Sequence, residues 1–195
     1  MEIYNFPQYS DEWWAIREKR MTASHATAVG NCGKGLITYI RDLMRGGYSK
    51  TEEDRYSNKH LERGLELEDS AGMVYSFENN IEIKKVGFVV YSDYVGCSPD
   101  LFAGDDGLCE IKCHDDKEHF NLLLGDDFQS NYLWQVYMQM LICEKKWTDL
   151  VSYNPNFTQY LIVRRILPDQ KKFDQLLKGF KMGEEMIRAI ERRME

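Results

Sequence analysis

Apolar and polar residues follow two different rhythms along the chain. Before Asn79-Asn80 the apolar residues recur at helical spacing, and after it short runs rich in Ile and Val recur at strand spacing. Ser10 ahead of Asp11 and Glu12 is a helix-start signal and predicts a helix over 11–20. Thr22 or Ser24 can cap a second, short helix, after which Gly30, Gly33 and Gly35 interrupt the chain. The pattern predicts a helix over 36–45 stopped by Gly46-Gly47, a polar loop over 48–58, and a longer helix over 59–77 closed by Asn79-Asn80. Strands are expected over 81–91, with a bend at Gly87, and over 94–97 and 107–113. A short helix within 115–130 and an apolar one over 131–144 come next, then strands over 148–153 and 159–167. Pro168 fits the first turn of a final amphipathic helix. This order predicts an α/β (α+β) fold, a small mixed β-sheet flanked by helices. With no repeat and no Pro- or Ser-rich linker, one domain over 1–195 is expected.

Composition narrows the function classes. Lys plus Arg number 25 and Asp plus Glu 32, a net charge of −7, which excludes a binder that holds nucleic acid by bulk positive charge. A nucleic-acid enzyme stays open, because only the field at its groove matters. No apolar run approaches the roughly 18 residues that span a bilayer, and the acidic, aromatic start of the chain does not read as a secretion signal. The 5 cysteines are an odd number without a C-x-x-C pair, which favours a reducing, cytoplasmic setting over a disulfide framework. Cys109, Cys113 and His114 match no common zinc spacing, so buried apolar cysteines are the simpler reading.

Candidate chemistry sits in residues 96–113. On a strand over 107–113, Leu108, Glu110 and Lys112 share one face, and Cys109, Ile111 and Cys113 the other. An acid and an amine thus stand side by side in an apolar strand, where neither is tolerated without a partner. A hairpin through Gly104 to Gly107 brings Asp100 near Glu110. Two close carboxylates repel unless a hard cation lies between them, and Lys112 beside that cation can hold or polarise a water. The plainer reading is a surface hairpin with an ion pair. On the helix over 59–77, Leu61, Leu65, Glu68, Gly72 and Tyr75 form one stripe. Glu68 sits in its middle and needs either a cation or the helix edge, while Glu62, Glu66 and Asp69 lie off it. Gln135 and Gln139 share a face of the helix over 131–144; Gln135 can orient water or touch a phosphate, or can simply be a surface amide. Trp13, Arg17, Thr22, Ser24 and His25 cluster at a helix junction, where an Arg with hydroxyls makes an anion site, or only a cap and an exposed Arg.

These residues occur in the order Trp13-x3-Arg17-x4-Thr22-Ala23-Ser24, Arg63-Gly64-x3-Glu68-x2-Ala71, Cys97-Ser98-Pro99-Asp100, Glu110-Ile111-Lys112-Cys113 and Gln135-Val136. The set resembles the phage lambda-type alkaline exonucleases, the YqaJ-like viral recombinase family within the PD-(D/E)XK nucleases. The resemblance implies a restriction-endonuclease-like core and a Mg²⁺-dependent 5′→3′ exonuclease on linear double-stranded DNA. Such an enzyme releases mononucleotides and leaves a 3′ overhang for a single-strand annealing protein. It implies two Mg²⁺ per site, Mn²⁺ substituting, with Asp100, Glu110 and the Ile111 carbonyl as ligands and Glu68 completing a second position. Lys112 would activate the attacking water with support from Gln135, and Arg17, Ser24 and Thr22 would grip the terminal 5′-phosphate. Relatives form a homotrimeric ring around DNA, and a phage or prophage origin would place the enzyme in the bacterial cytoplasm. Leu101 and His114 stand where the family often has Gly and Pro, and neither change removes a ligand. Lys84-Lys85, Lys117, Lys145-Lys146 and Arg164-Arg165 are candidates for a basic rim around the acids. Two other readings remain: another nuclease of the superfamily (an endonuclease or RecB-like module), and a catalytically silent protein that binds DNA ends.

Overall fold

A computed structural model describes residues 1–49 and 59–195, with the side chains of residues 59–66 left outside the description. The loop expected over 48–58 therefore lies almost wholly outside the described residues, as do the side chains of Leu61, Glu62, Arg63, Leu65 and Glu66.

The chain opens with β1 (Glu2–Tyr4) and α1 (Asp11–Arg17). Ser10 caps α1 by accepting from the Trp13 amide at 3.3 Å, and Asp11 and Glu12 lie at the positive end of the helix dipole. The helix ends before residue 20 because Glu18 turns extended and Lys19 is left-handed, at φ 60°. Next come β2 (Met21–Thr22), a single 3₁₀ turn (Ala23–His25), α2 (Ala26–Asn31) and α3 (Lys34–Tyr48). Neither Thr22 nor Ser24 caps with its side chain: Thr22 is the N-cap of the 3₁₀ turn but makes no side-chain capping bond. The helix α3 runs through Gly46-Gly47, the expected stop. Those glycines keep negative φ, and Leu36, Ile40 and Met44 hold the helix on the core one turn apart.

The long helix α4 (Lys59–Asn79) ends at Asn80, left-handed at φ 50°. After it come β3 (Ile83–Lys85), β4 (Phe88–Ser92), β5 (Val95–Cys97), β6 (Leu101–Ala103) and β7 (Gly107–Lys112). Then follow α5 (Asp116–Leu123), α6 (Ser130–Cys143), β8 (Trp147–Tyr153), β9 (Leu161–Ile166) and α7 (Gln170–Met194). Pro168 stays outside α7. Asp169 is the cap, accepting from the amides of Lys171 at 2.9 Å and Lys172 at 3.3 Å.

The strands form two mixed sheets rather than one, ordered β1-β4-β5-β2 and β3-β6-β7-β8-β9. The run over 81–91 feeds both. Its break is at Gly87, where a Cβ would come within 2.2 Å of the Phe6 carbonyl oxygen, so only glycine lets the chain cross there. In the second sheet β7 pairs antiparallel with β6 and parallel with β8. Alternation along β7 holds as the sequence pattern requires. Leu108 joins the core under α2, α3, α6 and α7, while Cys109 and Ile111 join a second core with Ala71 and Tyr75 of α4. Cys113 packs against that second core, and none of the 5 cysteines, all among the described residues, is in a disulfide. On the far side Gly179 of α7 lies so close to α2 that a Cβ would stand 2.1 Å from the Val29 carbonyl oxygen.

Candidate active site

Strand register assembles the acids. Leu101 faces Cys109, so the same antiparallel register carried one step sets Asp100 opposite Glu110. Asp100 accepts from the Ile111 amide at 2.7 Å. Glu110 is 1 % exposed, yet its carboxylate is almost saturated with donors. Oε1 accepts from Lys112 Nζ at 2.7 Å and Gln135 Nε2 at 2.5 Å, and Oε2 accepts from Gln139 Nε2 at 2.7 Å. Lys112 also donates to Gln135 Oε1 at 3.3 Å and sits 5.0 Å from the Tyr132 ring centre. The hairpin is thus a buried ion pair under α6, not a surface one, and Gln135 is no surface amide.

Glu68 enters from α4. One turn further on, Gly72 lets the helix sit close to β6 and β7: a Cβ there would stand 3.2 Å from Leu101 Cδ1. Glu68, Asp100, Glu110, Ile111, Lys112 and Gln135 all line one cleft of about 660 Å³, together with Arg17 and Ser24. The acids strain against one another there. Burial, then the charges of Glu110 and Glu68, push the Asp100 carboxyl well above its usual range. Burial, then Glu110, raises Glu68 to about 7. Burial alone would depress the Lys112 ammonium, but the Glu110 and Asp100 carboxylates hold it charged and above its ordinary value.

The N-terminal cluster reaches the same cleft in part. The Trp13 indole donates to Ser98 Oγ at 2.8 Å and to the Gly87 carbonyl at 3.2 Å, fixing α1 beside the strand that carries Asp100. The Arg17 guanidinium lies 4.0 Å over the Trp13 ring, and among the described residues no carboxylate pairs with it. Thr22 is 4 % exposed and does not line the cleft. Its hydroxyl meets Ser24 Oγ at 3.2 Å, and its amide donates to the Tyr39 hydroxyl at 3.0 Å. His25 stacks on Tyr39 at 4.2 Å.

Sequence reasoning missed several lining residues. Gln8 and Tyr9 come from the segment before α1, where no periodicity marks them. Gln139 was legible as an amide one turn beyond Gln135, but its burial was not. Tyr132, His114 and Glu118 also line the cleft. The His119 Nε2 donates to the Gln159 carbonyl at 2.8 Å, so its Nδ1 accepts from Ser152. The Ser152 hydroxyl in turn accepts from His114 Nδ1, also at 2.8 Å. Burial, then the Lys112 charge, lowers His114 to about 4, so it stays neutral at physiological pH.

The expected basic rim is largely neutralised. Lys85 pairs with Asp69, Lys146 with Asp106, Arg164 with Asp127, and Arg165 with the buried Asp149. Lys145 donates to the Asp105 carbonyl. Only Lys84 and Lys117 of that group are exposed without an ion pair among the described residues.

Among the described residues no three carboxylate, imidazole or thiolate groups are gathered tightly enough to cage a cation alone. A hard cation such as Mg²⁺ keeps several waters and takes one or two carboxylates plus substrate phosphate oxygens. Asp100 Oδ1 and one lone pair of Glu110 Oε2 carry no donor among the described residues and can still take a cation.

The sequence model of the YqaJ-like viral recombinase domain matches residues 12–146. The chain belongs to that family. This match spans α1 to the end of α6 and so contains every acid of the cleft. Across solved structures, the chain superposes on the alkaline exonuclease LHK-Exo of Laribacter hongkongensis with a TM-score of 0.81 at 26 % identity, covering 95 % of this chain and 98 % of that one. The dAMP complex of LHK-Exo matches equally, at 27 % identity. A phage-related exonuclease from Haemophilus somnus 129PT shares the fold at 10 % identity, with a TM-score of 0.72 over 90 % of this chain and 96 % of that one. Among curated proteins, the uncharacterized protein R354 of Acanthamoeba polyphaga mimivirus is 29 % identical over 117 residues, 58 % of this chain. The chain covers only 19 % of that protein's length. The α/β fold expected from the sequence is therefore the fold of alkaline exonucleases, with its strands divided between two sheets. Among the described residues no helix is long and apolar enough to cross a membrane.

Proposed function

We propose that this family member is a divalent-metal-dependent exonuclease that degrades linear double-stranded DNA from its 5′ ends. It releases 5′-mononucleotides and leaves 3′ overhangs that a single-strand annealing protein can use. The observation that carries this reading is the Asp100, Glu110 and Lys112 constellation at the β6–β7 pair, in one cleft with Arg17, which has no carboxylate partner among the described residues. The solved complex of LHK-Exo with dAMP fits a deoxynucleoside monophosphate as the product class.

The roles follow from charge and placement. Asp100, Glu110, the Ile111 carbonyl and Glu68 are hard oxygen donors able to hold Mg²⁺ or Mn²⁺. Bound divalent cations supply relief of charge on the scissile phosphate and its leaving oxygen. Lys112 keeps its proton because Glu110 and Asp100 stand beside it, so it serves as a donor that fixes and polarises the attacking water. Gln135 bonds both Glu110 and Lys112 and holds their relative position. Arg17, placed over the Trp13 ring, presents a guanidinium to the terminal 5′-phosphate, with Ser24 as a second donor and Thr22 behind it orienting the Ser24 hydroxyl. A homotrimeric ring around the duplex remains part of the proposal by resemblance alone.

End-labelled linear duplex tests this directly. With Mg²⁺, a 5′ label should leave as mononucleotide before a 3′ label, and EDTA should stop both. Cleavage of covalently closed circles, earlier release of the 3′ label, or undiminished activity in EDTA would each reject it.

A further inference from the structure

Tyr9 occupies a backbone position that its side chain does not favour. The Ser10 amide donates to the Pro7 carbonyl at 3.3 Å, closing a turn over residues 7–10 with Tyr9 at the third place. There φ is 68°, the left-handed region that such a turn reserves for glycine or asparagine. For a bulky aromatic this is a genuine outlier, and it persists only because the surroundings hold it. Those surroundings are on both sides of the turn. Gln8 donates to the carbonyls of Val86 at 3.1 Å and Pro99 at 3.2 Å, and Ser10 caps α1. The Tyr9 ring packs at 4.9 Å on Trp13 and edge-on to Trp14 at 6.3 Å. It lines the catalytic cleft and also borders an adjoining pocket of about 200 Å³, and Glu68 and Asp100 line both cavities with it.

Resting on the nuclease reading above, we propose that Tyr9 is a substrate-contacting residue whose ring, seated on Trp13, is the stacking surface for the base of the terminal nucleotide. The cleft is otherwise lined mainly by charged and hydrogen-bonding groups, which suit phosphates. A nucleobase needs an aromatic face, and stacking accepts every base, as an enzyme that must consume any sequence requires. The Trp13 ring cannot serve on its own, because Arg17 lies over it and Tyr9 packs on it.

The test uses a 5′-phosphorylated duplex with 2-aminopurine as its terminal base, in Ca²⁺ for binding and Mg²⁺ for turnover. Stacking quenches 2-aminopurine. Wild type should quench it, Tyr9→Phe should preserve the quench, and Tyr9→Gly and Tyr9→Asn should abolish it. Both of the latter suit the left-handed backbone, so their melting temperatures should match or exceed wild type. Their KM should rise by roughly five- to hundredfold, the loss expected for one stacked base, with a smaller change in kcat. Equal quenching and unchanged KM in the glycine and asparagine variants, beside an active wild type, would overturn the stacking role and leave the nuclease reading intact. A wild type that degrades no labelled duplex would overturn the nuclease reading and the stacking role with it.

Discussion

Replacing Glu68 by Gln isolates the electrostatic strain of the cleft. In the folded chain Glu68 ionises near 7 rather than 4.5, through burial and then the neighbouring Glu110. The folded state therefore keeps a proton that the unfolded chain has released, and stability falls as pH rises from 4.5 to about 7, with the full cost present above that. A shift of that size corresponds to on the order of 3 kcal/mol. Glu68 is only partly buried, and solvent screening reduces this to about 1–2 kcal/mol. Gln keeps the shape and removes the charge. In EDTA at pH 8, Glu68→Gln should thus be more stable than wild type, moving the urea midpoint up by about 0.5–1 M. At pH 4.5 the two chains should coincide. The neutral His114, whose lowered pKa works in the opposite direction, is present in both and cancels. Adding Mn²⁺ at pH 8 should stabilise wild type more than the variant, because the lost carboxylate is a proposed ligand. A Gln variant no more stable than wild type at pH 8 in EDTA would refute the reasoning.

Lys112→Ala should lower turnover by about 10²–10⁴ while circular dichroism still reports a folded chain; wild-type turnover would misplace the water-holding role. Arg17→Ala should cut the preference for 5′-phosphorylated over 5′-hydroxyl ends by about tenfold or more, the worth of a charge-assisted hydrogen bond, read as a ratio of initial rates. Gln139→Leu removes the donor to Glu110 Oε2 and should weaken Mn²⁺ binding about 10–100-fold by electron paramagnetic resonance, with turnover largely recovered at saturating metal. Gly179→Ala drives a Cβ against the Val29 backbone and should destabilise the chain by about 1–3 kcal/mol in urea melts without altering metal affinity.

The cleft also changes how the acidity of this chain is understood. Four of the seven cations proposed for the rim are paired with acids, Lys85, Lys146 and Arg164 with surface ones and Arg165 with the buried Asp149. On the proposed reading, the grip on DNA rests on Arg17, Lys112 and the metal-binding acids rather than on a basic surface. Such an enzyme should hold ends more firmly than internal duplex.

Along the sequence, what is determined is whatever depends on near neighbours. Alternation on 107–113 fixes which side of the strand carries Glu110 and Lys112, and Gly104 to Gly107 fixes the hairpin that sets Asp100 opposite them. Helix spacing places Glu68 one turn from Gly72 on the face that meets the strands. These relations survive any packing because backbone geometry imposes them. The sequence could not say whether the ion pair is buried, whether Gln135 and Gln139 face solvent, or which cations pair with distant acids. Each of those depends on which surface covers which, and only the closing of α6 over β7 and of α1 against the strands decides it. The split into two sheets and the left-handed Tyr9 belong to the same class: one goes with the Phe6 backbone crowding Gly87, the other with Gln8 being anchored to Val86 and Pro99, contacts between residues far apart in the chain.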